Sequence, residues 1–278
     1  MSAAVQVRGL SKTYGSTVAV RNLDLEVAYG EIFAILGPNG AGKSTTIEIL
    51  EGNRRRDSGQ VTVLGEDPAV AGRTWRTRIG IVLQEVSDAG MLTVHETVQM
   101  FTRCYGRARE PADVLDLVGL GMVAGSRVRA LSGGQRRRLD VALGIVGYPE
   151  LVFLDEPTTG FDPEARRQFW DLIRLMAADG TTIVLSTHYL EEAAALADRV
   201  AVVAGGRVVA VDAPAKLTGY AGAAATVRWM DGDTLRVEHT DHPTELIRHH
   251  SRHGRELDQL TVTRPTLEDA YLHLIGAV

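Results

Sequence analysis

Residues Gly37 to Thr45 read GPNGAGKST, and this nonapeptide decides how the rest of the chain is to be read. It fills every fixed position of the phosphate-loop pattern GxxxxGK[ST]. The apolar run Ile32 to Leu36 precedes it and a helix-like pattern from about Ser44 to Leu50 follows, which is the strand, loop and helix context the pattern requires. Gly37, Gly40 and Gly42 lack a Cβ, so they allow backbone geometry closed to other residues and let main-chain N–H groups close on a polyphosphate. The helix that follows turns its positive end to the same place. Lys43 is expected to reach the β- and γ-phosphates and Ser44 to ligate Mg²⁺. Pro38, Asn39, Ala41 and Thr45 complete the expected nucleotide contacts. The bland alternative is a glycine-rich turn with an incidental lysine, and the flanking pattern weighs against it. Kinases, GTPases and motors all use such loops, so the reaction has to be read elsewhere.

A second apolar run, Leu151 to Leu154, ends in Asp155 and Glu156, with Pro157 stopping the strand. Asp155 at the tip of a buried strand supplies the carboxylate a phosphate loop needs for Mg²⁺. Glu156 beside it is a candidate base or polariser for the water that attacks the γ-phosphate, which is what separates hydrolysis from binding. A helix-capping pair is the alternative reading of the two acids.

Size and charge narrow the class. At 278 residues the chain exceeds the usual single domain, so one large domain with a smaller appendage is expected. Thirty Lys and Arg against 35 Asp and Glu leave a net charge of −5, which argues against a general polyanion binder, and no nucleic-acid partner is expected. The runs Arg54 to Arg56 and Arg136 to Arg138 are read as solvated faces. Cys104 is the only cysteine, so no intrachain disulfide forms and a reducing compartment fits. The opening MSAAVQVRGL has no signal-peptide pattern, and no window approaches ~20 consecutive apolar residues. A place at a membrane therefore requires a partner.

Periodicity organises the remainder. Strands are expected at Val5 to Leu10, Val18 to Val27, Gln60 to Leu64 and Ile79 to Leu83, then a helical stretch from about Glu85 to Tyr148. Within that stretch helices are expected at Thr93 to Tyr105, Ala112 to Val118 and Ser132 to Val146. Alternation resumes with helix Pro163 to Ala178, strand Thr182 to Ser186, helix Leu190 to Leu196 and a hairpin Val200 to Val211. The small residues Thr218 to Ala225 read as a linker to a short α+β segment. Its last helix carries Leu267, Ala270, Tyr271, Leu274 and Ile275 at helical spacing, a stripe expected to cover its own small sheet. His249, His250 and His253 are read as surface histidines, because no cysteine or carboxylate set joins them at ligand spacing.

Leu131 to Gln135 reads LSGGQ, immediately before the helix that contains Arg136 to Val146. With the phosphate loop and the Asp155-Glu156 pair in this order, residues from about Val5 to Ala215 resemble the ATP-binding cassette (ABC) family. The resemblance implies that Ser132 and the backbone of Gly133 and Gly134, with Gln135, bind the γ-phosphate of a nucleotide held by an opposite subunit. It also implies that Tyr14, within LSKTYG, stacks on adenine, that Gln84 touches Mg²⁺, and that His188 contacts the γ-phosphate. Gly160 to Asp162 fits the family's loop beyond the catalytic glutamate, with Phe161 in place of the more frequent leucine. The stretches EGNRRRDSG, LSGGQRRRLDVA and PTLEDAYLHLIG resemble the ATPase subunits of daunorubicin-resistance-type drug and antibiotic exporters.

The fold expected is α/β: a phosphate-loop (RecA-like) ATPase core over residues 1–217, with an antiparallel β subdomain and a helical insertion at about 85–148, followed by a small α+β appendage over 218–278. Glu156 and His188 are the expected catalytic residues, and Ser44, Gln84 and Asp155 the metal ligands. ATP and Mg²⁺, a separate integral-membrane permease and a second cassette, taken as another copy of this chain, are implied by the resemblance. So is a peripheral place on the cytoplasmic face of the cell membrane. The expected function is ATP hydrolysis driving efflux of a hydrophobic small molecule. An uptake or lipid-export cassette is the alternative within transport, and a non-transport cassette of DNA repair or ribosomes the alternative outside it.

Overall fold

The computed structural model describes residues 3–82, 90–221, 225–232, 234–251, 256–264 and 266–276. Two compact units make up the chain, one up to Val211 and one from Asp212.

In the first unit a hairpin of β1 (Ala3–Tyr14) and β2 (Thr17–Ala28) leads to β3 (Ile32–Leu36), the phosphate loop and α1 (Lys43–Leu50). Next come β4 (Ser58–Val63), a short α2 (Arg73–Arg76) and β5 (Ile79–Val82). The helical insertion holds α3 (Val94–Thr102), α4 (Pro111–Leu117) and α5 (Gly133–Ile145), with 3₁₀ turns at Gly121–Val123 and Val128–Ala130. Strand and helix then alternate through β6 (Leu151–Asp155), α6 (Pro163–Ala178), β7 (Thr182–Thr187), α7 (Leu190–Leu196), β8 (Arg199–Ala204) and β9 (Arg207–Asp212).

An antiparallel sheet ordered β2-β1-β4 and a six-stranded sheet ordered β5-β6-β7-β3-β8-β9 carry the unit. β3 is buried along its whole length, as is β7, and in β6 only Asp155 is not. Strands buried almost end to end are what a parallel sheet covered on both faces gives. One apolar core joins the two sheets, with Val5, Val7 and Leu10 of β1 meeting Phe33, Phe153 and Val184 of the parallel sheet. α6 shows why local sequence suffices in places: Asp162 caps it by accepting from Ala165 N at 2.8 Å, Pro163 occupies its first turn, and Phe169, Leu172, Ile173 and Met176 form its buried stripe.

Neither arginine run is a solvated face. Arg56 is half-buried and donates twice to Asp67, at 2.8 and 2.6 Å, while Arg54 pairs with Glu48, so only Arg55 fits the expectation. Arg137 is buried, Arg136 and Arg138 are half-buried, and Arg138 donates to Gln168 Oε1. A helix turns about 100° per residue, so consecutive arginines on α5 cannot all face water.

The second unit holds α8 (Pro214–Leu217), β10 (Ala225–Asp231), β11 (Thr234–Thr240), α9 (Pro243–His250), β12 (Asp258–Thr263) and α10 (Leu267–Gly276). Its antiparallel sheet is ordered β11-β10-β12. α9, not α10, covers this sheet, with Leu246 and Ile247 against Val227, Trp229 and Leu257. α10 packs chiefly on α8 and on a 3₁₀ turn at Thr218–Ala221, within the stretch expected to be a linker. His250 lies against Trp229 at 4.7 Å between centroids, and His253 falls outside the described residues.

Candidate functional site

β3, β6 and β7 are parallel, so their carboxyl ends share one edge of the sheet. Leu36 is registered with Thr187, and Asp155 with Ser186. The phosphate loop leaving β3, Glu156 leaving β6 and His188 leaving β7 therefore open into the same crevice, where ligands of open α/β sheets bind. A concavity there is lined by Asn39, Gly40, Gly42, Lys43, Ser44, Thr45 and Glu156.

Each loop glycine answers a different demand. Gly42, the N-cap of α1, has φ 99°, and a Cβ on it would lie 2.3 Å from Ala19 O. Gly40 has φ 79° with open space around it. Gly37 is not in the left-handed region, and what it requires is room, since a Cβ would stand 2.4 Å from Val203 O on the neighbouring β8. The expectation of special backbone geometry thus holds for two of the three glycines.

Lys43 is almost fully buried, and its ammonium donates to Gly37 O at 3.0 Å and Pro38 O at 3.2 Å. Glu156 Oε1 lies 3.3 Å from Lys43 Nζ and also 3.3 Å from His188 Nδ1. The histidine contact has ion-pair proximity without hydrogen-bond alignment. Ser44 Oγ donates to Asp155 Oδ1 at 3.2 Å, and Ser186 Oγ donates to the same oxygen. Ser186 Oγ in turn accepts from Glu156 N at 3.0 Å. A hydroxyl and a carboxylate converging here fit Mg²⁺, which takes one or two protein oxygens and completes its shell with phosphates and water. Glu156 has φ 44°, a left-handed backbone that costs a non-glycine residue ~1–2 kcal/mol. Such strain gathers where surroundings over-determine a functional residue.

Tyr14 ends β1, 39 % exposed, with Lys12 Nζ 5.4 Å and the Arg54 guanidinium 5.2 Å from its ring centroid. Gln84 lies outside the described residues. Ser132 is the N-cap of α5 in a reciprocal capping box: its Oγ accepts from Gln135 N at 3.2 Å, and its own N–H donates to Gln135 Oε1 at 3.0 Å. The carbonyl of Gln135 is thereby committed to the cap, while Ser132 and Gly133 remain exposed. Phe161 keeps an apolar contact, edge-to-face on Phe169 at 5.6 Å.

Four residues around the crevice escape a reading of the sequence alone: Ser186, Arg137, Thr158 and Glu192. Arg137 donates to Pro157 O at 3.1 Å and Asp155 O at 2.9 Å. Burial pushes its guanidinium down from the usual range, and Asp140, Asp155 and Glu192 nearby push it back up. Glu192, fully buried, accepts from Thr158 Oγ1 at 2.8 Å and Trp170 Nε1 at 3.2 Å. The available signal was polarity out of place: Ser186 on a wholly buried strand, and Glu192 at a helix position that faces inward.

Comparison with known proteins agrees with this geometry. The ABC transporter family profile matches residues 20–159. A daunorubicin resistance ATP-binding protein of Streptomyces coeruleorubidus is 37% identical over 303 residues, covering 98% of this chain and 96% of that one. The Nod factor export ATP-binding protein I of Sinorhizobium fredii is 37% identical over 298 residues, covering 98% and 86%. Among solved structures, a dimeric ATP-binding cassette in a post-hydrolysis state with ADP and Pi superposes with a TM-score of 0.68 at 26% identity, covering 75% of this chain and 98% of that chain.

Proposed function

The chain belongs to the ABC transporter family, and from that premise we propose that it is the ATP-hydrolysing subunit of an exporter of hydrophobic small molecules, acting through a separate membrane permease on whose cytoplasmic side it docks. Among the described residues no helix is long and apolar enough to cross a membrane.

In this reading Lys43 and the loop N–H groups hold the β- and γ-phosphates, and Tyr14 takes the base. Ser44 and Asp155 would hold Mg²⁺, which when bound neutralises charge developing on the phosphates. Ser186 fixes the rotamer of Asp155 and the backbone of Glu156 together. The carboxylate of Glu156 accepts the proton of the attacking water, and His188 contacts the γ-phosphate. Ser132 of a second copy closes the site, its hydroxyl and the first N–H groups of α5 facing the phosphate. Closure and reopening are passed to the permease by the helical insertion.

The observation that carries this reading is the Glu156 carboxylate, 3.3 Å from both the Lys43 ammonium and the His188 ring. Glu156→Gln keeps the shape and removes the basicity. Turnover by the purified variant is expected to fall to a small residual rate while ATP binding persists and a nucleotide-bound dimer accumulates. Cells carrying it with the permease should retain the drug that wild type exports. Hydrolysis near the wild-type rate would overturn the assignment of the base, and equal drug retention in cells with wild-type chain would overturn export.

A further inference from the structure

We propose that Arg137 is a positioning residue that fixes the backbone of Glu156 and ties it mechanically to α5. The inference rests on the reading of Glu156 as the hydrolytic base. Arg137 lies five residues after Ser132 on α5, and its side chain reaches the end of β6. Two of its acceptors, Asp155 O and Pro157 O, are the carbonyls immediately before and after Glu156. Between them Glu156 sits at φ 44°, with its own N–H held by Ser186. A strained peptide pinned on both sides leaves only the carboxylate to be placed.

The chemistry calls for arginine. Buried carbonyls need donors, and a planar guanidinium offers two N–H groups in a fixed fork, which an ammonium cannot reproduce. Thr158, just beyond the fork, is held by Glu192 from α7, whose carboxylate also faces the guanidinium electrostatically. The loop that bears the base is thus held from both α5 and α7. Because α5 starts at the residue that closes on the partner's nucleotide, its displacement on closure is delivered through Arg137 to this chain's own base.

The test uses the full chain. Arg137→Lys keeps charge without the fork, and Arg137→Gln keeps one donor without charge. Both are expected to lower turnover by roughly 10- to 100-fold, the scale of a misplaced catalytic group. ATP affinity should stay within about threefold, which a general folding defect would not spare. In the Glu156→Gln background Arg137→Lys should change the residual rate no further, since it acts through Glu156. Unaltered turnover in both single variants, a parallel loss of affinity, or an undiminished extra loss without Glu156 would each overturn the proposal. A wild-type chain whose turnover ignores Glu156→Gln would instead sink the functional reading beneath it.

Discussion

Replacing the phosphate-loop glycines by alanine one at a time is expected to give three different losses, because each glycine meets a different constraint. At Gly40 a Cβ finds open space, so the cost is the left-handed backbone alone, ~1–2 kcal/mol, or roughly a 5- to 30-fold weaker hold on ATP. At Gly37 the backbone is ordinary but the Cβ lands 2.4 Å from Val203 O, on a strand whose side chains are buried. Overpacking of that kind costs ~1–3 kcal/mol and strains the pairing of β3 with β8, so Gly37→Ala should lower the melting temperature as well as affinity. Gly42→Ala meets both penalties, at φ 99° and 2.3 Å from Ala19 O, for ~2–5 kcal/mol in all. Equilibrium titration with a fluorescent ATP analogue beside a thermal melt separates the three. Gly40→Ala harming affinity as much as Gly42→Ala, or Gly37→Ala sparing the melt, would refute the division of roles.

Burial pushes the Glu51 carboxyl from 4.5 up to about 8, with Asn53 Nδ2 donating to it at 2.8 Å. The folded chain therefore binds that proton more tightly than the unfolded one, and stability is present below pH 4.5 and lost as pH rises towards 8. Glu51→Gln keeps an acceptor for Asn53 and should flatten that slope, gaining at most ~3 kcal/mol at pH 7 and nothing at pH 4; superimposable melts of the two proteins across the range would contradict this. Lys43→Ala should weaken ATP binding by the monomer, whereas Ser132→Asp, which preserves the N-cap but opposes an incoming phosphate, should spare monomer binding and block the ATP-dependent dimer. Titration beside size measurement decides, and equal loss of affinity in both variants would argue against a composite site.

Much of the fold was legible because its code is local. β3 is a bounded apolar run, and α6 carries its own cap, proline and stripe, so both match the expected residues end to end. α2 escaped because four residues hold too little periodicity to register, although Trp75 anchors it by donating to Val63 O at 2.8 Å. The site was legible where chemistry repeats a spacing, as in the loop and the Asp155-Glu156 pair. It was not legible where one residue's meaning lies in a distant one. Nothing near Gly37 announces that Val203 will press against it, and nothing in three consecutive arginines says that the middle one turns inward.

The same distinction bears on how Ser132, in the function proposed above, would serve two ends. Within its own chain it caps α5, and the cap uses the oxygen as acceptor and the Ser132 N–H as donor. That leaves the hydroxyl proton and the first N–H groups of α5 as donors at a helix start where Ser132 and Gly133 are exposed. A helix start with unpaired backbone donors is complementary to an anion. In the function proposed above, the local cap would keep the start of α5 preorganised for a phosphate carried by a second copy.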